Sequence, residues 1–375
     1  MPTSPRSGGV RRAVILSLAA LAAATPAAVS DSSQYYQTTA LPSARHMHGA
    51  SALGNYLYIF GGNDAREGFT NSALRAPISA DGEVGPWAPA TPMNDPLAYI
   101  GNATVTHQRF IYICGGNIHT NDNQRNESST VVTMAAQFDD GSLSRWITSA
   151  PFPNGVGVQA AAAVATDSHL YVIGGGSTAN RPQDVVFYAP FAGGGLLGPW
   201  QSGPPLPRAV WFHMAGIANG RIYVWGGTTG ANYEGAIADC VSAGIQPDGS
   251  LDGWRQESPM ASPIYFSAAA SIDGALYNFS GRFRDQQYTS DVLFTIPTRT
   301  GPLEWHRVRA NVPLNRYLAP AVDHRRGIVF FPGGRSAEGP IADVFGYRVA
   351  RVVEVAADFG PGTATSSTPA TTATS

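Results

Sequence analysis

The chain has 375 residues, a formal net charge of −2 and a charged fraction of 13%, so it lacks the basic footprint that nucleic acids or anionic membrane surfaces require. Its basic residues are all Arg, because no Lys occurs, which excludes lysine Schiff-base chemistry and a pyridoxal phosphate anchored to this chain. The 42 Gly and 28 Pro suit many short strands and turns rather than helices.

Residues 1–30 read as a secretory signal. Arg11 and Arg12 supply a positive start, residues 13–24 an apolar stretch too short for a membrane span, and Ala28-Val29-Ser30 a small-residue cleavage site. The expected location is therefore secreted or periplasmic, the alternative being an uncleaved N-terminal anchor. From residue 31 to 355 one unit recurs. Its signature is an aromatic strand ending in a glycine pair: Tyr58-Ile59-Phe60-Gly61-Gly62, Tyr112-Ile113-Cys114-Gly115-Gly116, Tyr171-Val172-Ile173-Gly174-Gly175 and Tyr223-Val224-Trp225-Gly226-Gly227. Two degenerate copies follow, Tyr277-Asn278-Phe279-Ser280-Gly281 and Phe330-Phe331-Pro332-Gly333-Gly334.

In the first copy residues 71–78 alternate as a strand after the glycines, Asp81-Gly82 marks a hairpin turn and Trp87 opens a further strand. The same turn-then-Trp unit returns at Trp146, Trp200, Trp254 and Trp305. A small-residue strand such as residues 49–53 precedes each glycine-ended one. The count is four strands per copy and six copies, an all-β array in which both faces of every glycine-ended strand are buried and each Trp packs between neighbouring sheets. Cys114 and Cys240, in different copies, are expected to be buried free thiols.

The sixth copy lacks a Trp downstream. Tyr35, however, stands six residues before Leu41-Pro42 as Trp200 stands before Leu206-Pro207, so residues 33–38 are expected to complete the last sheet and close the ring; the alternative gives that place to residues 351–355. Residues 356–375 are rich in Thr, Ser, Pro and Ala and are expected to be a disordered tail. Of three glycosylation sequons, at Asn102, Asn126 and Asn278, the one at Asn126 lies in a polar loop and is the credible acceptor.

An aromatic-x-x-Gly-Gly strand followed by a Trp some 25 residues on resembles the kelch repeat, and six copies imply a six-bladed kelch-type β-propeller with four antiparallel strands per blade. The resemblance implies that the segment before each innermost strand and the loop after each glycine pair emerge on one face around the central channel. The first set supplies Arg45, His46, His48, Tyr99, Asn102, Gln159, Trp211, His213, Tyr265, Arg316 and Tyr317; the second supplies His119, Tyr233, Glu234, Arg282, Arg284 and Arg335. Such a mouth suits a small polar or carbohydrate-like ligand, or a protein partner.

Three readings follow. The first is a binding module, with stacking on Trp211, Tyr265 and Tyr317, arginines pairing to acidic groups, and His48, Tyr99, Gln159, His213 and Arg335 as further contacts. The second is an isomerase, since the array resembles exported bacterial kelch proteins including sialic-acid mutarotases; Glu234 would then act as base with Arg282 or Arg284 as electrostatic stabiliser. The third, a metal enzyme using His46, His48, His119 and His213, is disfavoured: residues two apart on an extended segment point to opposite faces, and His213 lies across the ring from His48. The binding reading leads, with no cofactor, no metal and a monomeric state expected.

Overall fold

The computed structural model describes residues 35–283, 287–308 and 319–349. Among these, six antiparallel four-stranded sheets form the blades. Blade 1 comprises Gly49–Leu53, Tyr56–Phe60, Ala73–Pro77 and Ala88–Ala90; its first strand lines the channel and its last is outermost. The inner strands of blades 2 to 6 are Thr104–His107, Ala162–Ala165, Met214–Ala218, Ala268–Ile272 and Ala321–Asp323. The helical elements among the described residues are single 3-10 turns, and none is long and apolar enough to cross a membrane.

The β-branched and aromatic residues of the glycine-ended strands pack into six apolar clusters, one between each pair of neighbouring blades. Each Trp reaches back across such a seam: Trp146 donates to the Thr91 carbonyl at 2.9 Å and Trp254 to that of Pro204 at 2.9 Å. The aromatic residue that opens the motif reaches forward. Tyr58, Tyr112 and Tyr171 donate to the carbonyls of Gly141, Gly195 and Gly249, each in the hairpin turn of the next blade, at 2.7–2.8 Å.

The glycine pair is a clamp between blades. The second glycine donates its N–H to the next blade, as in Gly62 to Leu97 O (2.7 Å) and Gly175 to Val210 O (2.9 Å). The first glycine needs a left-handed backbone and no side chain: a Cβ on Gly61 would lie 2.4 Å from the Leu97 carbonyl oxygen. In the fifth copy Ser280 adopts φ 55° in the glycine's place, and the strand is bulged there. The odd Asn278 in the same strand accepts a bond from buried Trp225 Nε1 at 3.1 Å.

Ring closure follows the first of the two expected routes. Tyr35–Thr38 pairs antiparallel with Val344–Arg348, the register placing Tyr35 opposite Tyr347, and the Tyr35 ring lies 4.6 Å from that of Tyr347 in the seam between blades 5 and 6. Gly334 N–H clamps Arg45 O at 2.8 Å, and Tyr36 donates to Gly82 O at 2.9 Å, tying blade 6 to blade 1. Cys114 and Cys240 are both free and buried. The expected signal (1–30) and tail (356–375) lie outside the described residues, as do residues 351–355.

Candidate functional site at the channel mouth

In each of the first five blades the residue two positions before the inner strand, or slightly further in blade 2, has a left-handed backbone: Met47 (φ 60°), Tyr99 (58°), Ala160 (50°), Phe212 (53°) and Phe266 (55°). Non-glycine residues adopt this region at a cost, and a strained conformation repeated around a ring marks a constraint shared by the blades. Backbone bonds supply it. Ala160 N–H donates to Tyr99 O, Phe212 to Ala160 O and Phe266 to Phe212 O, at 3.0, 3.0 and 3.3 Å, a belt running around the mouth.

The belt aims aromatic side chains over the channel. Tyr99, Trp211, Phe212, Tyr265 and Phe266 form one cluster. Tyr233, from the loop after the glycine pair of blade 4, folds over it: its ring stacks on Trp211 (5.7 Å, 15°) and meets Phe212 and Phe266 at 5.3 and 5.4 Å. Its hydroxyl lies 3.4 Å from that of Tyr99, which comes from blade 2, and it keeps 37% of its surface exposed. Arg282 lies over the rings of Tyr265 and Tyr288 at 5.6 and 5.5 Å.

Beneath the aromatic cover is a cavity of about 50 Å³ lined by Met47, His48, Tyr99, Phe212, His213 and Phe266 among others. At roughly 10–15 Å³ per water it has room for a few waters but not for a sugar. His48 and His213 occupy equivalent places in blades 1 and 4. His48 Nε2 lies 2.7 Å from Pro332 O of the preceding blade, and the His213 ring lies against Gly174, whose Cβ would be 2.7 Å from its Cε1. Burial pushes the His48 imidazole down to about 3, with Arg45 adding to the effect, and pushes His213 down to about 4 against the pull of the Ile173 carbonyl. Both rings are therefore neutral at ordinary pH, and each braces a seam.

The floor of this cavity is a plug. Blade 2 carries Gly101 and Asn102 as two residues without counterparts at the matching point of blades 1, 3, 4 and 5, and they form the 3-10 turn Gly101–Ala103. Asn102 Nδ2 crosses the channel to Ser267 O at 2.8 Å and His213 O at 3.4 Å, and its Oδ1 accepts from Ala269 N–H at 3.4 Å.

Of the residues singled out from the sequence, His48, Tyr99 and His213 line the cavity, and Trp211 and Tyr265 back its cover. Gln159 is buried and bound to Ser177 O and Asn180, at 3.1 and 3.0 Å. Glu234 is exposed in a turn closed by Gly230 N–H to its carbonyl, and Arg335 is half-buried in a hairpin with Pro340. Arg284, Arg316 and Tyr317 lie outside the described residues. His46 and His48 flank the left-handed Met47, so they do not sit on one continuous extended segment as the sequence suggested. No group of three or more metal-ligating side chains is found among the described residues. Arg45, read from the sequence as part of the mouth, is buried and held by Asp64 at 3.0 Å. Burial alone would raise the Asp64 carboxyl, but bonds from Arg66 N–H, Ser43 and Arg45 hold it below its ordinary value.

Sequence reasoning missed Met47, Phe212 and Phe266, which hold the left-handed position itself. The signal was present: aligning the segments before the inner strands places these three in register with Tyr99.

No family model matches the chain. Kelch repeat and BTB domain-containing protein 12 of Danio rerio is 26% identical over 227 residues, 56% of this chain and 33% of that protein; the chain thus spans about a third of that relative's length. A solved structure described as "Structure of YjhT" superposes with a TM-score of 0.55 at 16% identity, covering 70% of this chain and 84% of the other, a likeness of fold.

Proposed function

For a chain whose fold is the kelch-type β-propeller, we propose a binding role: the loop face takes a small polar, carbohydrate-like ligand on its aromatic cover. The observation that carries this is the exposed Tyr233 ring stacked over Trp211 and bridged to Tyr99 across the mouth. Rings of this kind take the C–H faces of a sugar, and Arg282 beside them recognises an acidic substituent. Trp211 fluorescence reads the site. A panel of neutral and acidic monosaccharides is expected to change it, with Tyr233→Ala weakening every ligand and Arg282→Ala weakening the acids selectively. If no sugar alters the fluorescence or the melting temperature, the proposal fails.

The isomerase alternative needs an acid or base at the ligand. The two histidines lining the cavity are neutral seam braces; Glu234, next to Tyr233 in the chain, is the residue to test. Accelerated anomer exchange seen by NMR and lost in Glu234→Gln would support the enzyme. A protein ligand on the same face is distinguished by co-purification. Export as a monomer is part of the proposal, tested by N-terminal sequencing of the mature protein and by its size in solution.

A further inference from the structure

The Asn102 plug divides the channel, and the larger part lies on the side away from the aromatic mouth. That lower cavity measures about 230 Å³ and runs between the inner strands to the turn bearing the exposed His324. Its walls carry both apolar and hydroxyl side chains: Val164, Ile217 and Val322 beside Thr106 and Ser271. Ser51 belongs to this wall, but its hydroxyl is closed off from the cavity in a residue 4% exposed and has no hydrogen-bond partner among the described residues, an uncommon state for a buried polar group. Ser271 Oγ accepts from Ile217 N–H at 3.0 Å, which leaves its own proton to donate. Among the described lining residues His324, at the rim, is the one titratable side chain, so the described wall favours a neutral ligand over an ion, whose desolvation would need a counter-charge.

We propose that this lower cavity is a second binding site, entered from the face opposite the aromatic mouth, for a small neutral polyol. A molecule of this class presents both C–H faces and hydroxyls, as the wall does. At roughly 10–15 Å³ per water the space takes on the order of fifteen waters, enough for a six-carbon polyol. The site is independent of the loop-face reading, because Asn102 bonds across the channel between the two.

The test titrates the full chain with myo-inositol and xylitol at up to about 10 mM, where a millimolar affinity is measurable, and follows backbone amides by NMR. Shifts are expected at Thr106, Ser271 and Val322, with Tyr99 and Phe266 unmoved. Thr106→Val, and Ala165→Leu as an independent cavity-filling variant, are expected to weaken the response about tenfold or more, a difference large enough to read by titration, while Tyr233→Ala leaves it unchanged. Circular dichroism and melting temperature identify the variants that remain folded. The proposal is overturned if neither polyol shifts the channel amides, if the response survives in folded Thr106→Val and Ala165→Leu, or if Tyr233→Ala abolishes it. That last result would assign polyol binding to the loop face instead.

Discussion

Replacing Asn102 by Ala removes a side chain that ties blade 2 to blades 4 and 5 across the channel. One short bond (2.8 Å) and two long ones (both 3.4 Å) are lost, and the Ser267 carbonyl loses a donor. At about 1 kcal/mol net for the short bond and less for each long one, the cost is about 2 kcal/mol. In a protein of this size that lowers the melting temperature by about 4 °C, measurable by calorimetry. Asn102→Asp is the sharper control. A carboxylate there faces the carbonyls of Ser267 and His213 and cannot donate to them, so it is expected to be worse than Ala by about 1 kcal/mol or more at neutral pH. Its folded pKa would be raised above the unfolded one, because the protonated form can still donate. The deficit against Ala is therefore absent below the unfolded value, near ~4, and becomes complete as pH rises through the folded value. If Asn102→Ala melts with the parent and Asn102→Asp is no worse than Ala, the side chain does not cross the channel and the plug is not real.

Gly174→Ala is expected to cost about 3 kcal/mol or more, since its Cβ would lie 2.8 Å from Val210 O at φ 56°; Gly155→Ala, at φ 65° with nothing within 4 Å, is expected to cost only about 1 kcal/mol. Equal urea midpoints for the two would remove the clamp argument. His213 is held down to about 4 from an ordinary 6.5, so the unfolded chain binds its proton first and stability falls as pH drops from 6.5 toward 4. The loss attributable to this ring is about 3 kcal/mol, and the unfolding free energy of His213→Gln should be flatter over that window; an identical slope refutes the assignment. Asp64→Ala leaves the Arg45 guanidinium buried without its carboxylate and is expected to cost about 3–5 kcal/mol, whereas Arg45→Met combined with Asp64→Leu recovers most of it. A double variant no more stable than the single would contradict that account.

The repeat was legible because its signals are local. A glycine pair, an aromatic strand and a Trp at fixed spacing each have a backbone or packing cause acting within a few residues, and the match of Tyr35 to the Trp position was enough to choose the closing strand. The same pattern said little about the site. The sequence identified which segments reach the mouth, but it did not reveal that the left-handed residue turns Phe212 and Phe266 over the channel, or that Arg45 turns away to Asp64.

What the sequence by itself determined is the architecture: six copies of one unit, each unable to bury its faces alone, must stack, and the misplaced last strand must close the ring. Only the tertiary structure decided what occupies the middle. The channel is assembled from residues more than a hundred positions apart, as with Asn102 and Ser267, so a two-residue extension in one blade becomes a partition through contacts that exist only after five other blades have set the width it must span.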